Sequence, residues 1–86
     1  MEKLEILGMR LKALRKERRL YQRELGELLG VTLGHYQKIE RGKINISALT
    51  LCTLADYFGV STDYLLGRSD QRQAPQGQED PQGTGG

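Results

Sequence analysis

The chain has 86 residues, a formal net charge of +2, one cysteine and one histidine. A chain of this length predicts one domain, with a core near the lower size limit for folding without a metal or a disulfide. A single cysteine excludes an internal disulfide, and one cysteine with one histidine cannot make a zinc site. We therefore expect no metal, no cofactor and a reducing, cytoplasmic environment.

The sequence also disfavours secretion, membrane insertion and catalysis. No positively charged leader precedes an apolar segment, and no apolar run approaches the ~18 residues that a membrane helix needs. There is no glycine-rich phosphate loop, and His35 is not part of a pattern typical of a catalytic triad. The chain is expected to be neither a membrane protein nor an enzyme.

The first predicted helix spans residues 2–18. One face of it carries four leucines at helical spacing: Leu4, Leu7, Leu11 and Leu14. Residues 10–23 contain seven basic side chains and a single acid, Glu17, which gives this stretch a net charge of +6. By itself such a run is most often a solvated helix face.

Two short helical patterns joined by a tight turn follow between residues 22 and 41. The apolar face of the first is formed by Leu25, Leu28 and Leu29. Gly30 ends that helix, because a residue without a Cβ takes the left-handed conformation without penalty. Thr32 then offers a hydroxyl that caps the next helix. This is the outline of a helix-turn-helix that reads the DNA major groove, and beside it the basic stretch 10–23 favours phosphate neutralisation.

Two further helices and a tail complete the predicted elements. The fourth helix follows the N-cap Ser47 and ends at Gly59. Its inward stripe is Ala48, Leu51, Leu54, Ala55 and Phe58. The fifth helix is short, is capped by Ser61 and ends at Gly67. Residues 68–86 are dominated by Gln, Gly and Pro and have a net charge of −1, which predicts a disordered tail and no DNA-binding arm.

Residues 8–66 resemble the phage repressor and Cro family of helix-turn-helix proteins, also called the XRE family. The resemblance is carried by LKALRKERRLYQRELGELLGV, by Thr32 and the run KIERGK, and by SALTLCTLADYFGVSTDYLL. The joint spacing is specific at Gln22, Gly30, Thr32, Ile39, Glu40 and Gly42. The resemblance implies an all-α, compact five-helix DNA-binding domain over residues 1–67, with the helix-turn-helix at helices two and three. The composition of residues 68–86 predicts the disordered tail after it.

The resemblance assigns the contacts with base edges to one face of the third helix. These residues are Leu33, Gly34, Gln37 and Lys38. Gln37 can pair with N6 and N7 of adenine, and Lys38 can donate to O6 and N7 of guanine. Leu33 can pack on a thymine methyl group, and Gly34 would admit close approach of the helix to the base pairs. The alternative for the polar pair is an ordinary solvated helix face.

The resemblance also implies a set of phosphate contacts around the motif. These are Gln22, Arg23, Thr32, His35, Lys43 and Asn45. Gln22 opens a helix whose first amides are free to bind an anion. Three of the others have an alternative: Thr32 is an N-cap with or without DNA, Asn45 is ordinary turn chemistry, and His35 is equally well explained by solvation.

Glu40 stands in the last turn of the third helix, where the helix dipole disfavours a carboxylate. It therefore needs a partner. The resemblance pairs it with Arg15 of the first helix, in an ion pair that ties the third helix to the scaffold. The alternative is an exposed Glu40 beside Arg41 or Lys43, which would contribute little to stability.

The function implied by the resemblance is a sequence-specific transcriptional regulator, a repressor, that binds double-stranded DNA as a homodimer on a near-palindromic operator. Apolar residues left outside the core stripe predict the dimer interface: Leu49, Tyr57, Tyr64 and Leu66. The alternative is an antitoxin or helical interaction module whose main partner is a protein, such as a toxin or an antirepressor, with DNA binding secondary.

Overall fold

The computed structural model describes residues 2–73, which form five α-helices and no strand. In chain order these are α1 (Lys3–Glu17), α2 (Gln22–Leu29), α3 (Leu33–Glu40), α4 (Ala48–Phe58) and α5 (Thr62–Leu65). The predicted all-helical fold is confirmed, with α1 one residue shorter at each end than the sequence suggests. None of these helices is both long and apolar enough to cross a bilayer.

The helix ends follow local side-chain chemistry. Hydroxyl oxygens accept a hydrogen bond from the first-turn amides of three helices, at Thr32, Ser47 and Ser61. The hydroxyl of Tyr21 does not cap α2, and the Tyr21 amide instead donates to Oε1 of Glu24 at 2.7 Å. Gly30 ends α2 with a φ of 70°. Arg19 is the one non-glycine residue of the described part with a positive φ, 57°, which costs on the order of 1 kcal/mol.

The core is formed by the inward faces of all five helices. Its buried apolar residues are Leu7, Leu11, Leu14, Leu25, Tyr36, Ile39, Leu54, Ala55, Phe58 and Leu65. Helices α1 and α3 come together at Gly8, where a Cβ atom would overlap the carbonyl oxygen of Glu40. The C-terminal end of α3 is therefore seated directly on the backbone of α1.

The folded part of the chain extends beyond the predicted boundary at Gly67. Residues 68–73, which we name the C-terminal strap, lie against α1 and α5. Arg10 donates to the carbonyl oxygen of Ser69 at 2.7 Å and to Asp70 at 3.0 Å. Arg72 donates to Glu17 at 2.9 Å. The sequence placed these residues in the tail because they contain no large apolar group, and arginine contacts hold them instead. The remainder of the predicted tail, residues 74–86, lies outside the described residues.

The four residues predicted for a dimer interface differ in exposure. Leu49 is 80% exposed and Tyr57 is 39% exposed on α4. Tyr64 and Leu66 are only half-buried. Tyr64 packs against the core and lies under the guanidinium of Arg10, 4.1 Å from the ring centroid. The sequence predicted that several of these residues face water, and the two on α4 are the exposed ones.

Candidate nucleic-acid interface

The outward face of α3 is set by the two residues that face inward. Tyr36 and Ile39 are buried at 0% and 2% exposure, and they fix the rotation of this eight-residue helix on the core. The opposite side then carries Leu33, Gly34 and Lys38, all exposed, with Gln37 half-buried at its edge. The structure thus places the four predicted base-reading residues on one side of one helix.

An open groove lies beside the start of this face. It has a volume of about 450 Å³ and is lined by Tyr21, Gln22, Arg23 and Leu33. The first amides of α2 open near it, and Arg23 stands with its guanidinium 5.8 Å from the ring of Tyr21. Free amides and an exposed arginine at a helix N-terminus suit an anionic ligand such as a phosphate.

Glu40 is the centre of a buried polar cluster, which we name the Glu40 cluster and which consists of Arg15, Gln22, Tyr36 and Glu40. Arg15 donates from Nε to Oε2 at 2.7 Å and from Nη2 to Oε1 at 3.2 Å. The Tyr36 hydroxyl donates to Oε2 at 2.8 Å, and Nε2 of Gln22 donates to Oε1 at 3.1 Å. The structure therefore brings Arg15 and Glu40 together and adds two partners that the sequence did not indicate.

The electrostatics of the cluster keep Glu40 ionised. Burial raises the pKa of Glu40, but hydrogen bonds from Arg15, Tyr36 and Gln22 outweigh it and hold the pKa below its ordinary value. Burial and the neighbouring carboxylate both raise the pKa of Tyr36, so its hydroxyl keeps its proton and donates. The carboxylate is thus an acceptor of four donated hydrogen bonds.

Gln22 also forms a hydrogen bond with a residue of the outward face of α3. Its Oε1 accepts a hydrogen bond from Nε2 of Gln37 at 3.1 Å. The sequence assigned Gln22 to a phosphate and Gln37 to a base as independent contacts. Their pairing was not predicted, because it depends on how α2 and α3 cross.

The other predicted phosphate contacts occupy varied settings. Thr32 is exposed, and its Oγ1 accepts from the amide of His35 at 3.1 Å, so it is the cap of α3. His35 and Lys43 are exposed. Asn45 is also exposed, and its Oδ1 accepts from the amide of Ile46 at 2.9 Å, which is the turn chemistry that the sequence allowed. All four lie on α3, at its start or in the loop after it.

The basic stretch 10–23 is less available to DNA than its charge suggests. Arg15 is occupied by the Glu40 cluster and Arg10 by the C-terminal strap. Arg18 donates to the carbonyl oxygens of Tyr57 and Phe58, both at 2.9 Å, and so caps the C-terminal end of α4. Three of the seven basic side chains therefore serve the fold, and the net charge of the stretch overstates the number of cations left for other partners.

The comparison with protein families decides the identity of this motif. The helix-turn-helix family model matches residues 11–65, which include α2, α3 and α4. The chain belongs to the phage repressor and Cro-like (XRE) helix-turn-helix family. Membership of this family agrees with the prediction that the chain is not an enzyme.

Two relatives and one solved structure are similar to this XRE-family chain. It is 39% identical over 61 residues to the Bacillus subtilis SPbeta prophage-derived HTH-type transcriptional regulator YonR, covering 71% of this chain and 56% of that protein. It is 36% identical over 61 residues to the immunity repressor protein of Bacillus phage phi105, covering 71% and 42%. The P22 c2 repressor, solved in complex with a synthetic operator, superimposes with a TM-score of 0.66 at 30% identity, covering 73% of this chain and 96% of that one. The chain spans about half the length of the curated relatives it matches.

Proposed function

We propose that the chain is a sequence-specific DNA-binding transcriptional regulator, a repressor, that acts in the cytoplasm as a homodimer on a near-palindromic operator. The observation that carries this proposal is the outward face of α3, which is exposed in the free protein and anchored to α1 through the Glu40 cluster. A helix held in this way can enter the major groove as a rigid element. The immunity repressor of phage phi105 among its relatives, and the operator complex of the P22 c2 repressor, support the same interpretation.

The base contacts are assigned to α3, and the phosphate contacts to the start of α2 and to the two ends of α3. Gln37 and Lys38 supply the hydrogen bonds to base edges, and Leu33 and Gly34 supply apolar contact and close approach. Arg23, an exposed cation beside the groove at the start of α2, is expected to contact the DNA backbone. Thr32, His35, Lys43 and Asn45 add contacts at the two ends of α3.

The sharpest test of DNA recognition is selection of bound sequences from a random duplex pool. Lys38→Ala and Gln37→Ala are each expected to cost about 1–3 kcal/mol on the best selected site and to relax selectivity at one base pair. Arg23→Ala is expected to weaken all sequences alike and to reduce the salt dependence of binding. The measurement is fluorescence anisotropy over a series of salt concentrations.

The control is Arg68→Ala, which removes an exposed positive charge beyond α5, outside the proposed interface. It is expected to leave the selected affinity unchanged. Binding of the selected duplex no tighter than random duplex would contradict the regulator proposal and would favour the protein-interaction alternative.

Dimerisation is proposed through the exposed face of α4. Leu49 is its most exposed apolar side chain. Two-fold pairing there would set the α3 helices of the two subunits about 34 Å apart, which is one turn of duplex. Leu49→Glu is expected to raise the dimer dissociation constant by at least about tenfold, because it brings like charges together at the interface. Sedimentation equilibrium from micromolar to millimolar protein measures this.

Met9→Glu is the matched control, since Met9 is an apolar side chain of α1 that is 56% exposed and outside this face. It should leave the dissociation constant unchanged. A parent protein that stays monomeric throughout the range, with operator present, would remove both the interface and the palindromic operator from the proposal.

A further inference from the structure

We propose that Gln22 is a positioning residue for base recognition: the buried carboxylate of Glu40 fixes the amide of Gln22, which in turn fixes the amide of Gln37 in the orientation that selects adenine. This inference rests on the proposed function, because it concerns how the outward face of α3 discriminates between bases. It departs from the phosphate role that the sequence suggested for Gln22.

The network of hydrogen bonds starts at the carboxylate of Glu40, which can only accept hydrogen bonds. Arg15 and Tyr36 both donate to Glu40, and the carboxylate they hold has no proton to offer. The neighbouring amide of Gln22 must therefore present Nε2 to it, as it does at 3.1 Å. A flipped amide would set the carbonyl oxygen of Gln22 against a buried negative charge.

The orientation of the Gln22 amide determines the orientation of the Gln37 amide. With Nε2 turned to Glu40, Gln22 presents Oε1 to Gln37 and accepts from its Nε2 at 3.1 Å. A flip of Gln37 would bring two carbonyl oxygens together. Each amide is thus orientated by the group before it, and the direction is set by the carboxylate of Glu40, whose side chain is 4% exposed.

The fixed amide of Gln37 has two groups left for a ligand. These are the second N–H of Nε2 and the carbonyl oxygen Oε1. Adenine offers an acceptor at N7 and a donor at N6 in the major groove, which match them. Guanine offers two acceptors, N7 and O6, so the carbonyl oxygen would face O6 without a proton between them. A glutamine free to turn could avoid this clash, whereas Gln37 cannot turn without breaking its bond to Gln22.

A double-mutant cycle separates positioning from a direct phosphate contact. Gln22→Met keeps the length of the side chain and removes both of its hydrogen bonds. Affinities of the parent, Gln22→Met, Gln37→Ala and the double variant are measured on the selected operator and on its three variants at the base pair that depends on Gln37. Gln22→Met is expected to reduce the preference for adenine by about fivefold or more, with no further loss of preference in the Gln37→Ala background.

If Gln22→Met weakens all four duplexes by the same factor, or if its loss of preference adds to that of Gln37→Ala, Gln22 is not a positioning residue. Arg23→Ala is the reference for a uniform effect. Failure of selection to yield any preferred operator would contradict the proposed function, and the cycle would then have no preference to measure.

A second measurement needs no DNA. The side-chain amide of Gln37 in the ¹⁵N-labelled free protein is expected to change its proton chemical shifts and to lose protection from exchange in Gln22→Met. The thermal transition of the variant shows that it is folded. A Gln37 amide that is unchanged by Gln22→Met would overturn the inference whatever the DNA results.

Discussion

Replacement of Glu40 by glutamine is expected to lower the free energy of unfolding by about 3 kcal/mol. The side chains of Arg15 and Glu40 are 11% and 4% exposed, so the variant leaves a buried guanidinium without its counter-charge. The Tyr36 hydroxyl, which donates to the same carboxylate, also loses an ionised acceptor. Thermal and urea unfolding of the parent and of Glu40→Gln measure the difference.

The same substitution changes the dependence of stability on pH. The folded-state pKa of Glu40 lies below its ordinary value of 4.5, so its contribution is present above pH 4.5 and is lost as pH falls through the folded-state pKa. Glu40→Gln should therefore lose less stability than the parent on acidification below pH 4.5. Glu27→Gln, which removes an exposed charge from α2, serves as control and should leave stability at neutral pH unchanged. Parallel acid profiles for the parent and Glu40→Gln would show that the carboxylate is not held by the Glu40 cluster.

Gly8→Ala is expected to destabilise the protein by about 2 kcal/mol, as overpacking of about 3 kcal/mol is partly offset by about 1 kcal/mol of helix propensity. The added methyl group would overlap the carbonyl oxygen of Glu40, which is a backbone atom and cannot rotate away. Helices α1 and α3 would have to separate. Urea unfolding measures the change in midpoint.

Gly34→Ala is the matched control, because a Cβ atom at Gly34 would meet nothing within 4 Å. It adds a methyl group to a helix at an exposed position and is expected to stabilise the fold by up to about 1 kcal/mol. The same variant should bind the selected operator more weakly, since the methyl group stands on the proposed DNA-facing side. Equal stability of Gly8→Ala and the parent would contradict the close contact between α1 and α3.

The helices were predictable from sequence because their signals are local. Hydroxyl caps at Thr32, Ser47 and Ser61 and the left-handed Gly30 fix helix ends through neighbours in the chain. The need of Glu40 for a cation follows from its place at the end of a helix, and the resemblance supplied Arg15 as that cation.

The features that the sequence did not predict depend on contacts between distant parts of the chain. The bond between Gln22 and Gln37 and the donation from Tyr36 to Glu40 require the crossing of packed helices, which no local pattern reveals. The C-terminal strap was missed because arginines, not apolar residues, hold it. A glycine inside a helix is unfavourable by itself, so Gly8 in the leucine-rich face of α1 was a sequence signal of close packing.

The position of Gln37 at the edge of the outward face bears on how such a protein can acquire new DNA targets. Leu33, Gly34 and Lys38 are exposed, and none forms a side-chain hydrogen bond within residues 2–73. Their replacement changes the surface offered to the groove and leaves the buried network intact. A change at Gln37 instead leaves Oε1 of Gln22 without its hydrogen-bond donor. A second substitution, at position 22, is then needed to compensate. Libraries randomised at positions 33, 34 and 38 should therefore yield folded proteins with altered operators, whereas those including position 37 should yield them mainly when position 22 varies as well.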